Sequence, residues 1–404
     1  MGSRIYLDNA ATSPVDPRVR DAILPFLSDE FANPSSIHAA GRSVRRAVNV
    51  ARSAVAELLL AHPDSVVFTS GGTEADVMAT MGLALAREDS GRKGHIITSA
   101  FEHPAVLKCC GYLETRGFEV TYLRPGPDII LDPEAVRDAI RDDTFLVSVM
   151  MANNETGTLQ PIKEICDIAH ERGVLVHTDA VQAVGKTTVH VEELGVDLLA
   201  CSSHKIHGPK GVGALYIREG VELTPLAQGG GQEGRRRGGT ENVPGIVGFG
   251  TAARLAREEF DDRYAHAVAL RKELLRLTTE TKSVRLNGHP EKTVPHILNL
   301  CLVYVDALLL VSNLSRRDIC ISVGSACASG KLEPSYVLKA AGMSDFASFT
   351  SARFSTGKDN TLEEVQRVVA DVGELAEFLR QIRTPEEIGQ CDENCPCLWE
   401  EGVA

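Results

Sequence analysis

The alternation of short apolar runs with amphipathic segments over the first part of the chain is the feature that most restricts its fold. Strands that alternate with helices in this way form a mostly parallel α/β sheet covered by helices on both faces. In such sheets ligands bind beyond the carboxyl ends of the strands, so the loops that follow these runs are the first candidates for a site. The runs predicted to be buried strands are Val66-Val67-Phe68-Thr69, His95-Ile96-Ile97-Thr98, Phe145-Leu146-Val147-Ser148-Val149, Leu175-Val176-His177-Thr178 and Leu198-Leu199-Ala200-Cys201.

The amphipathic segments predict helices and a division into two domains. The predicted helices lie at about 17–27, 38–60, 73–87, 103–116, 133–141 and 161–172. A long helix is predicted to begin after Gly245 and to link the two domains. Beyond it, an apolar strand at 297–302 and helices over 334–341 and 361–379 indicate a smaller α+β domain. The predicted division is a large domain at 15–255, a small domain built from 1–14 and 256–385, and a tail at 386–404.

The charge balance and the apolar content exclude several classes of protein. The 404 residues carry 42 basic and 55 acidic side chains, and the formal charge of -13 opposes binding to nucleic acid or to an anionic membrane surface. No run approaches the roughly 20 apolar residues needed to cross a bilayer. Asp8 interrupts the short apolar run near the N-terminus, which therefore lacks the core of a signal peptide. We expect a cytoplasmic protein whose ten cysteines are mostly reduced.

Polar groups after two successive predicted strands suit a pyridoxal phosphate site. The run Ser202-Ser203-His204-Lys205 places a lysine, which could form a Schiff base with the cofactor's aldehyde, beside groups that could bind its phosphate. Asp179 follows the preceding strand, where a carboxylate can hold the pyridine nitrogen protonated and make the ring an electron sink. The alternative for Asp179 is a solvated turn aspartate, and the Ser-Ser-His-Lys run that follows weakens it.

Two further segments could complete such a site. The turn Ser70-Gly71-Gly72-Thr73-Glu74 joins a strand to a helix, so its backbone N–H groups and the Thr73 hydroxyl could bind phosphate at the positive helix end. Considered alone, the same turn is better explained as a tight strand-to-helix connection with Thr73 as its N-cap. His103 could stack on a cofactor ring and take part in proton transfer, or it could merely begin a helix.

Cys327 is set apart from the other cysteines by its small neighbours. The segment Gly324-Ser325-Ala326-Cys327-Ala328-Ser329-Gly330 suits a thiol that must approach a bound substrate and then present its product elsewhere. A buried, inert cysteine is the usual alternative, and a polar segment flanked by glycines is a poor setting for one. Cys327 is therefore a candidate nucleophile.

Taken together, these motifs resemble those of the cysteine desulfurases of the NifS/IscS type, which are related to class V aminotransferases. That resemblance implies a fold-type I pyridoxal phosphate enzyme with a large, mostly parallel-sheet domain and a smaller α+β domain. Small departures occur at Ser13 and Ala328, where relatives commonly carry threonine. The matching motifs, which extend over nearly the whole chain, are Leu7-Asp8-Asn9-Ala10-Ala11-Thr12, Asn33-Pro34-Ser35-Ser36, Thr69-Ser70-Gly71-Gly72-Thr73-Glu74, Glu102-His103, Asn153-Asn154-Glu155-Thr156-Gly157, His177-Thr178-Asp179-Ala180-Val181-Gln182, Ser203-His204-Lys205, Gly229-Gly230-Gly231-Gln232-Glu233, Gly239-Thr240 and Gly324-Ser325-Ala326-Cys327.

The resemblance also implies which residues bind the cofactor. Lys205 would form the Schiff base, Asp179 would contact the pyridine nitrogen, and His103 would stack on the ring. Gln182 would lie near the ring hydroxyl, and Asn154 beside both cofactor and substrate. The phosphate would be bound by Gly72, Thr73, Ser202 and His204, with Thr240 supplied by the other subunit of a homodimer.

The implied reaction converts L-cysteine to L-alanine, with Lys205, His103 and Cys327 as the catalytic residues. Arg353 would grip the substrate carboxylate through its planar fork of donors, and Asn33 would line the same pocket. The sulfur would remain on Cys327 as a persulfide and pass to an iron–sulfur scaffold or another acceptor protein. Two alternatives stay open from the sequence, a selenocysteine lyase and a non-catalytic subunit that docks sulfur acceptors.

The C-terminal tail carries three closely spaced thiols, Cys391, Cys395 and Cys397, beyond the region of the resemblance. Three thiols are too few for a closed zinc site, so a metal would need a fourth ligand from elsewhere. The alternatives are a contact with a metal or cluster, a sulfur relay, and incidental cysteines in an acidic tail. Cys327 is a further candidate, as a transient cluster ligand.

Overall fold

The computed structural model of the protein describes residues 4–323 and 333–382. Its strands are β1 (Ile5–Tyr6), β2 (Val66–Thr69), β3 (His95–Ser99), β4 (Glu119–Leu123), β5 (Thr144–Ser148), β6 (Leu175–Asp179), β7 (Leu198–Ser202), β8 (Gly213–Ile217), β9 (Val284–Asn287), β10 (Ile297–Leu302), β11 (Ile319–Cys320), β12 (Ser322–Val323) and β13 (Ser351–Ser355). Its α-helices are α1 (Pro17–Ile23), α2 (Pro25–Ser28), α3 (Ala39–Leu59), α4 (Gly72–Asp89), α5 (Pro104–Thr115), α6 (Pro133–Ala139), α7 (Ile162–His170), α8 (Val191–Leu194), α9 (Val243–Glu258), α10 (Phe260–Leu274), α11 (Leu277–Glu280), α12 (Ala307–Arg316), α13 (Tyr336–Ala340), α14 (Asp345–Phe349) and α15 (Leu362–Ile382).

The larger sheet of the described chain has seven strands in the order β2-β8-β7-β6-β5-β3-β4. Only β8 runs antiparallel to its neighbours in this sheet. The five predicted strands are confirmed as β2, β3, β5, β6 and β7. Because all five run in the same direction, their carboxyl ends meet at one edge of the sheet, where the candidate site residues lie.

The predicted helices of this part of the chain are confirmed, with two differences. The segment predicted as one helix at 17–27 forms α1 and α2, because Pro25 has no N–H to continue the first helix. The long helix begins at Val243, slightly before Gly245, and Glu259 separates it into α9 and α10. Helix α9 packs closely on α3, since a Cβ atom at Gly250 would lie 2.4 Å from the Cα atom of Ala51.

A four-stranded antiparallel sheet, in the order β12-β13-β10-β9, belongs to a second hydrophobic core. Helices α10 and α15 contribute Leu270 and Val368 to this core, in the same cluster as Phe354 of β13. The N-terminal strip, residues 4–12, contributes Ile5 and Leu7 to this core. Its strand β1 pairs in parallel with β11. The predicted domain boundaries stay a prediction. Among the helices of the described ranges, none combines the length and the apolar character needed to cross a membrane.

Candidate active site

A cavity of about 390 Å³ lies beyond the carboxyl ends of the parallel strands. Asp179 ends β6 and Ser202 ends β7, while His103 and Asn154 lie in the segments that follow β3 and β5. The cavity therefore collects side chains from segments far apart in the sequence. Its lining comprises Ala10, Ala11, Gly72, Thr73, Asp76, His103, Met150, Asn154, Asp179, Val181, Gln182, Ser202, His204, Lys205 and Arg353.

Lys205 ends a short 3-10 turn, Ser203–Lys205, that directly follows β7. Its Nζ donates hydrogen bonds to the carbonyl oxygens of Ala10 and Ala11, at 2.6 and 2.7 Å. Burial and the neighbouring Arg353 guanidinium lower the pKa of Lys205 to about 8, because each disfavours the charged ammonium. More of this amine is therefore uncharged near neutral pH than for an exposed lysine.

Asp179 and His103 lie close together in the cavity, next to Asp76. A ring nitrogen of His103 and one carboxylate oxygen from each aspartate all lie within 4.8 Å of one another. The Asp179 carboxylate accepts a hydrogen bond from the Val181 N–H at 2.8 Å, and burial raises its pKa. Burial lowers the pKa of His103, and its Nδ1 accepts from the Ala105 N–H at 3.2 Å. The other ring nitrogen, Nε2, therefore carries the proton of the neutral imidazole.

Two buried acids beside the cavity were not singled out from the sequence. Asp76 lies on α4 with Oδ1 3.5 Å from Nε2 of His177, and burial raises its pKa well above the usual range. Glu102 accepts hydrogen bonds from the Ser99 hydroxyl and the Met150 N–H, yet burial raises its pKa to about 8. The signal for Asp76 was its position three residues after Thr73, on the same face of the helix.

Gly72, Thr73, Ser202 and His204 all line the cavity, and Gly72 lies next to Ser202. Gly72 begins α4, and a Cβ atom there would lie 2.6 Å from Cγ2 of Val181, so only glycine fits without displacement of that side chain. His204 Nδ1 lies 3.1 Å from the Thr12 hydroxyl, and burial lowers the pKa of His204 to about 4. The ring is therefore neutral near pH 7 and acts as a hydrogen-bonding group.

Arg353 reaches the cavity from β13 in the second sheet, and 7% of the residue is exposed. Its guanidinium donates to the carbonyl oxygen of Asn154 at 2.9 Å and to the carboxylate of Asp8 at 2.8 Å. Asp8, Ala10 and Ala11 belong to the motif Leu7-Asp8-Asn9-Ala10-Ala11-Thr12, for whose residues no role in the site was predicted. In the structure, the N-terminal strip positions both Arg353 and Lys205.

Several predicted site residues lie away from this cavity in the single chain. Asn33 is exposed, and its side chain accepts from the Ser35 N–H at 2.8 Å. Thr240 lines a separate cavity of about 130 Å³ beside Ser70 and Glu241. The roles of Asn33 and Thr240 therefore stay predictions. The thiols of Cys327, Cys391, Cys395 and Cys397 lie outside the described residues.

Comparison with known proteins connects this geometry with a family. Residues 5–368 match the family model described as aminotransferase class V. The chain is 46% identical over 385 residues to a cysteine desulfurase IscS of Methanosarcina thermophila, and 95% of each protein is covered. A solved structure described as a NifS-like protein has a TM-score of 0.87 and 36% identity, covering 93% of this chain and 100% of that chain. Another, described as SspA in complex with cysteine, has a TM-score of 0.78 and 37% identity, covering 88% of this chain and 100% of that chain. The chain therefore belongs to the class V aminotransferase family and, within it, to the cysteine desulfurases.

Proposed function

We propose that this protein is a pyridoxal phosphate-dependent cysteine desulfurase, which converts L-cysteine to L-alanine and holds the sulfur as a persulfide on Cys327. The observation that carries the proposal is the convergence of a lysine, an aspartate, a histidine and an arginine on one cavity, namely Lys205, Asp179, His103 and Arg353. A subunit that only docked sulfur acceptors would have no chemical need for all four groups. The names of the relatives likewise do not favour a selenocysteine lyase.

A comparison of two substrates tests this proposal. The purified enzyme, loaded with pyridoxal phosphate, is incubated with L-cysteine or L-selenocysteine in the presence of a thiol reductant. The alanine formed from each substrate is quantified. We expect L-cysteine to yield alanine and sulfide in equal amounts. Alanine from L-selenocysteine alone would contradict the proposal.

The cavity fits pyridoxal phosphate, on which class V aminotransferases depend. Its volume of about 390 Å³ is within the range of small-molecule sites. Gln182 Oε1, Asn154 Oδ1 and Arg353 Nε are buried there without a hydrogen-bond partner among the residues that the structure describes. Because an unsatisfied buried polar group costs about 1–3 kcal/mol, these atoms indicate a polar ligand.

Bound pyridoxal phosphate supplies an electron sink for the substrate's Cα. Asp179 would face the ring nitrogen, whose positive charge keeps the carboxylate ionised despite its burial. Lys205 would hold the cofactor covalently and then, as a free amine, take the proton from the substrate's Cα. The low pKa of Lys205 favours both tasks, because each requires the uncharged amine. His103 would stack on the ring and assist proton transfer.

The phosphate would be bound by neutral donors at the start of a long helix. Gly72 and Thr73 occupy the first turn of α4, whose N–H groups and dipole favour an anion. The Ser202 hydroxyl and His204, whose ring burial keeps neutral, would donate to the phosphate as well. Thr240 of a second copy would complete this set in a homodimer.

Arg353 would bind the substrate carboxylate, and Asp8 would hold the guanidinium in place. We expect Arg353→Lys to raise KM for cysteine about 10–100-fold with a smaller change in kcat, because a lysine lacks the planar fork and a charged hydrogen bond contributes about 1.5–3 kcal/mol. Steady-state alanine formation measures both constants. Asp8→Asn, which keeps the guanidinium, is the matched control and should raise KM less. An unchanged KM in Arg353→Lys would remove Arg353 from the substrate site.

Cys327 would attack the sulfur of the bound substrate as a thiolate. The S–S bond forms as the bond between the substrate's Cβ and its sulfur breaks. Protonation of Cβ and of Cα then gives alanine. The sum, a thiol and cysteine giving a persulfide and alanine, needs no external oxidant.

The described residues on either side of the Cys327 segment lie close enough to the cavity for Cys327 to approach a bound substrate. Ser322 pairs with Arg353 in the sheet, and Ser335 and Tyr336 donate hydrogen bonds to Glu155 and Glu102. Cys327 is four residues from Val323, a separation that an extended chain spans in at most about 14 Å. Both flanks of the segment are therefore attached near the cavity.

The acceptor of the sulfur would be an iron–sulfur scaffold, as the IscS name of the relatives suggests. Transient cluster binding by Cys327, metal binding by the tail, and a cytoplasmic location stay predictions of the sequence. None of them is required for the conversion of cysteine to alanine.

The tail cysteines provide a separate prediction. Truncation after Gln390 removes Cys391, Cys395 and Cys397, which could bring soft ligands to a partner. We expect turnover of cysteine with a small-molecule reductant to be unchanged, because terminal segments are seldom needed for a fold. Persulfide transfer and cluster assembly on a scaffold protein should fall. Equal delivery by full-length and truncated enzymes, at equal turnover, would show that the three cysteines are incidental.

A further inference from the structure

A third, smaller cavity borders His207, two residues after Lys205. Its volume is about 20 Å³, compared with about 10–15 Å³ for one water molecule, so it holds a group of one or two atoms. It lies between α10, the loop after β13 and the segment after the 3-10 turn. Its lining is Gly185, Lys186, His207, Arg263, Tyr264, His266, Ala267, Pro295, His296, Thr356, Gly357 and Lys358.

The charges around this cavity are predominantly positive. Lys186, Arg263 and Lys358 line it, and among the described lining residues there is no aspartate or glutamate. Burial and the Arg263 guanidinium lower the pKa of Lys186 to about 8, which shows that a nearby cation is not offset by an acid at this amine. A partly buried ammonium in such surroundings is stabilised by an anion.

The carboxylates in the neighbourhood pair with the other two cations from outside the cavity. Glu259 accepts from Arg263 at 2.7 Å, and Asp16 and Asp359 lie 3.3 and 2.7 Å from Lys358. Within the described chain, no hydrogen bond or ion pair engages the Lys186 amine. Lys186 is thus the cation whose charge is left uncompensated.

Two buried histidines supply independent evidence that the cavity holds a polar occupant. His207 and His296 are 1% and 4% exposed, and among the described residues His207 Nε2 and His296 Nδ1 find no hydrogen-bond partner. His207 Nδ1 lies 3.1 Å from the Pro14 carbonyl oxygen and donates to it, so Nε2 of the neutral ring is an acceptor. Burial, together with Lys186 and Arg263, lowers the pKa of His207 to about 3. An unsatisfied buried polar atom is costly, so both rings need a polar partner that the described residues do not provide.

We propose that this cavity binds one halide-sized monovalent anion, such as chloride, with Lys186 as its principal cation. The small volume of the cavity favours a single-atom ion over phosphate, nucleotides and carboxylate metabolites. Arg263 and Lys358 add positive potential, His296 Nδ1 would donate to the anion, and His207 Nε2 would accept from a water molecule beside it. The proposal concerns a site separate from the catalytic cavity and does not depend on the proposed reaction.

Bound anion would stabilise the attachment of the N-terminal strip. The His207 N–H donates to the Ser13 hydroxyl at 2.8 Å, and its carbonyl accepts from the Asp16 N–H at 3.0 Å. Ser13 and Asp16 directly follow the N-terminal strip, whose Ala10 and Ala11 bind the Lys205 amine. The anion would therefore stabilise the packing of this strip against the segment that carries Lys205. A ligand at concentration c that binds only the folded state stabilises it by RT ln(1 + c/Kd), so the melting temperature rises with the concentration of the anion.

Bromide replaces chloride and is located by its anomalous scattering, so crystals of the enzyme loaded with pyridoxal phosphate and soaked in sodium bromide provide the test. We expect an anomalous peak in the cavity beside Lys186. In solution, the melting temperature should rise with sodium bromide relative to sodium gluconate at equal ionic strength, because gluconate does not fit. Lys186→Met should abolish the peak and the bromide-specific rise.

Lys282→Met, at an exposed lysine, is the matched control and should keep both signals. Absence of the peak in the wild-type enzyme would overturn the proposal whether or not Lys186→Met folds. A peak of equal height in Lys186→Met would overturn the assignment to that lysine.

Discussion

Replacement of Lys205 by alanine should abolish the conversion of cysteine to alanine and the covalent attachment of pyridoxal phosphate. Loss of proton transfer alone would slow turnover by about 10²–10⁴-fold, and loss of the Schiff base adds to this effect. The reason lies in the geometry, because the Lys205 amine is held at the cavity wall by two carbonyl oxygens and has a pKa of about 8. Noncovalent binding of the cofactor through Gly72 and Thr73 should persist.

Borohydride reduction followed by peptide mapping tests the assignment directly. The reduced cofactor should be found on the peptide that contains Lys205 in the wild-type enzyme and on no lysine in Lys205→Ala. Lys210 lies nearby in the sequence but is exposed and does not line the cavity. A wild-type cofactor attached to Lys210 would refute the role of Lys205.

Replacement of Cys327 by serine should leave cysteine binding intact but prevent the release of alanine and the formation of a persulfide. A serine hydroxyl is far less nucleophilic toward sulfur than a thiolate, and removal of a catalytic nucleophile typically costs more than about 10³-fold in rate. Absorbance of the cofactor should still change when L-cysteine is added. Single-turnover alanine measurements provide the rate.

The control for this variant is Cys320→Ser, seven residues earlier in the chain. Cys320 lies in β11, away from the lining of the cavity, and its thiol is partly buried. This variant should retain turnover and persulfide formation. Near-normal alanine formation by Cys327→Ser would assign the nucleophile to another group.

Much of the fold could be predicted from the sequence because its central strands are continuous apolar runs. The family and the fold class predicted from the motifs are confirmed by the comparisons. Strand β4 was not predicted, since it lies at the sheet edge and none of its residues is fully buried, so its apolar signal is weak. Strand β8 begins within a glycine-rich stretch, which resembles a turn until Gly213 is seen packed against Gly71.

The candidate site was predicted where residue type and strand position agreed. Lys205, Asp179 and His103 each follow a strand with a recognisable chemical group, and they line one cavity. Asp76 was missed because nothing in a single helical segment shows that its carboxylate is buried beside Asp179. The ion pair of Asp8 with Arg353 joins residues 345 positions apart, a contact that only the folded chain reveals.

The most direct test of the proposed function is a single turnover of the loaded enzyme with L-cysteine in the absence of reductant. Alanine is quantified, and the peptide that contains Cys327 is examined by mass spectrometry. The proposal predicts one alanine for each active site and one added sulfur atom on Cys327. Release of free sulfide with pyruvate, and an unmodified Cys327 peptide, would contradict it.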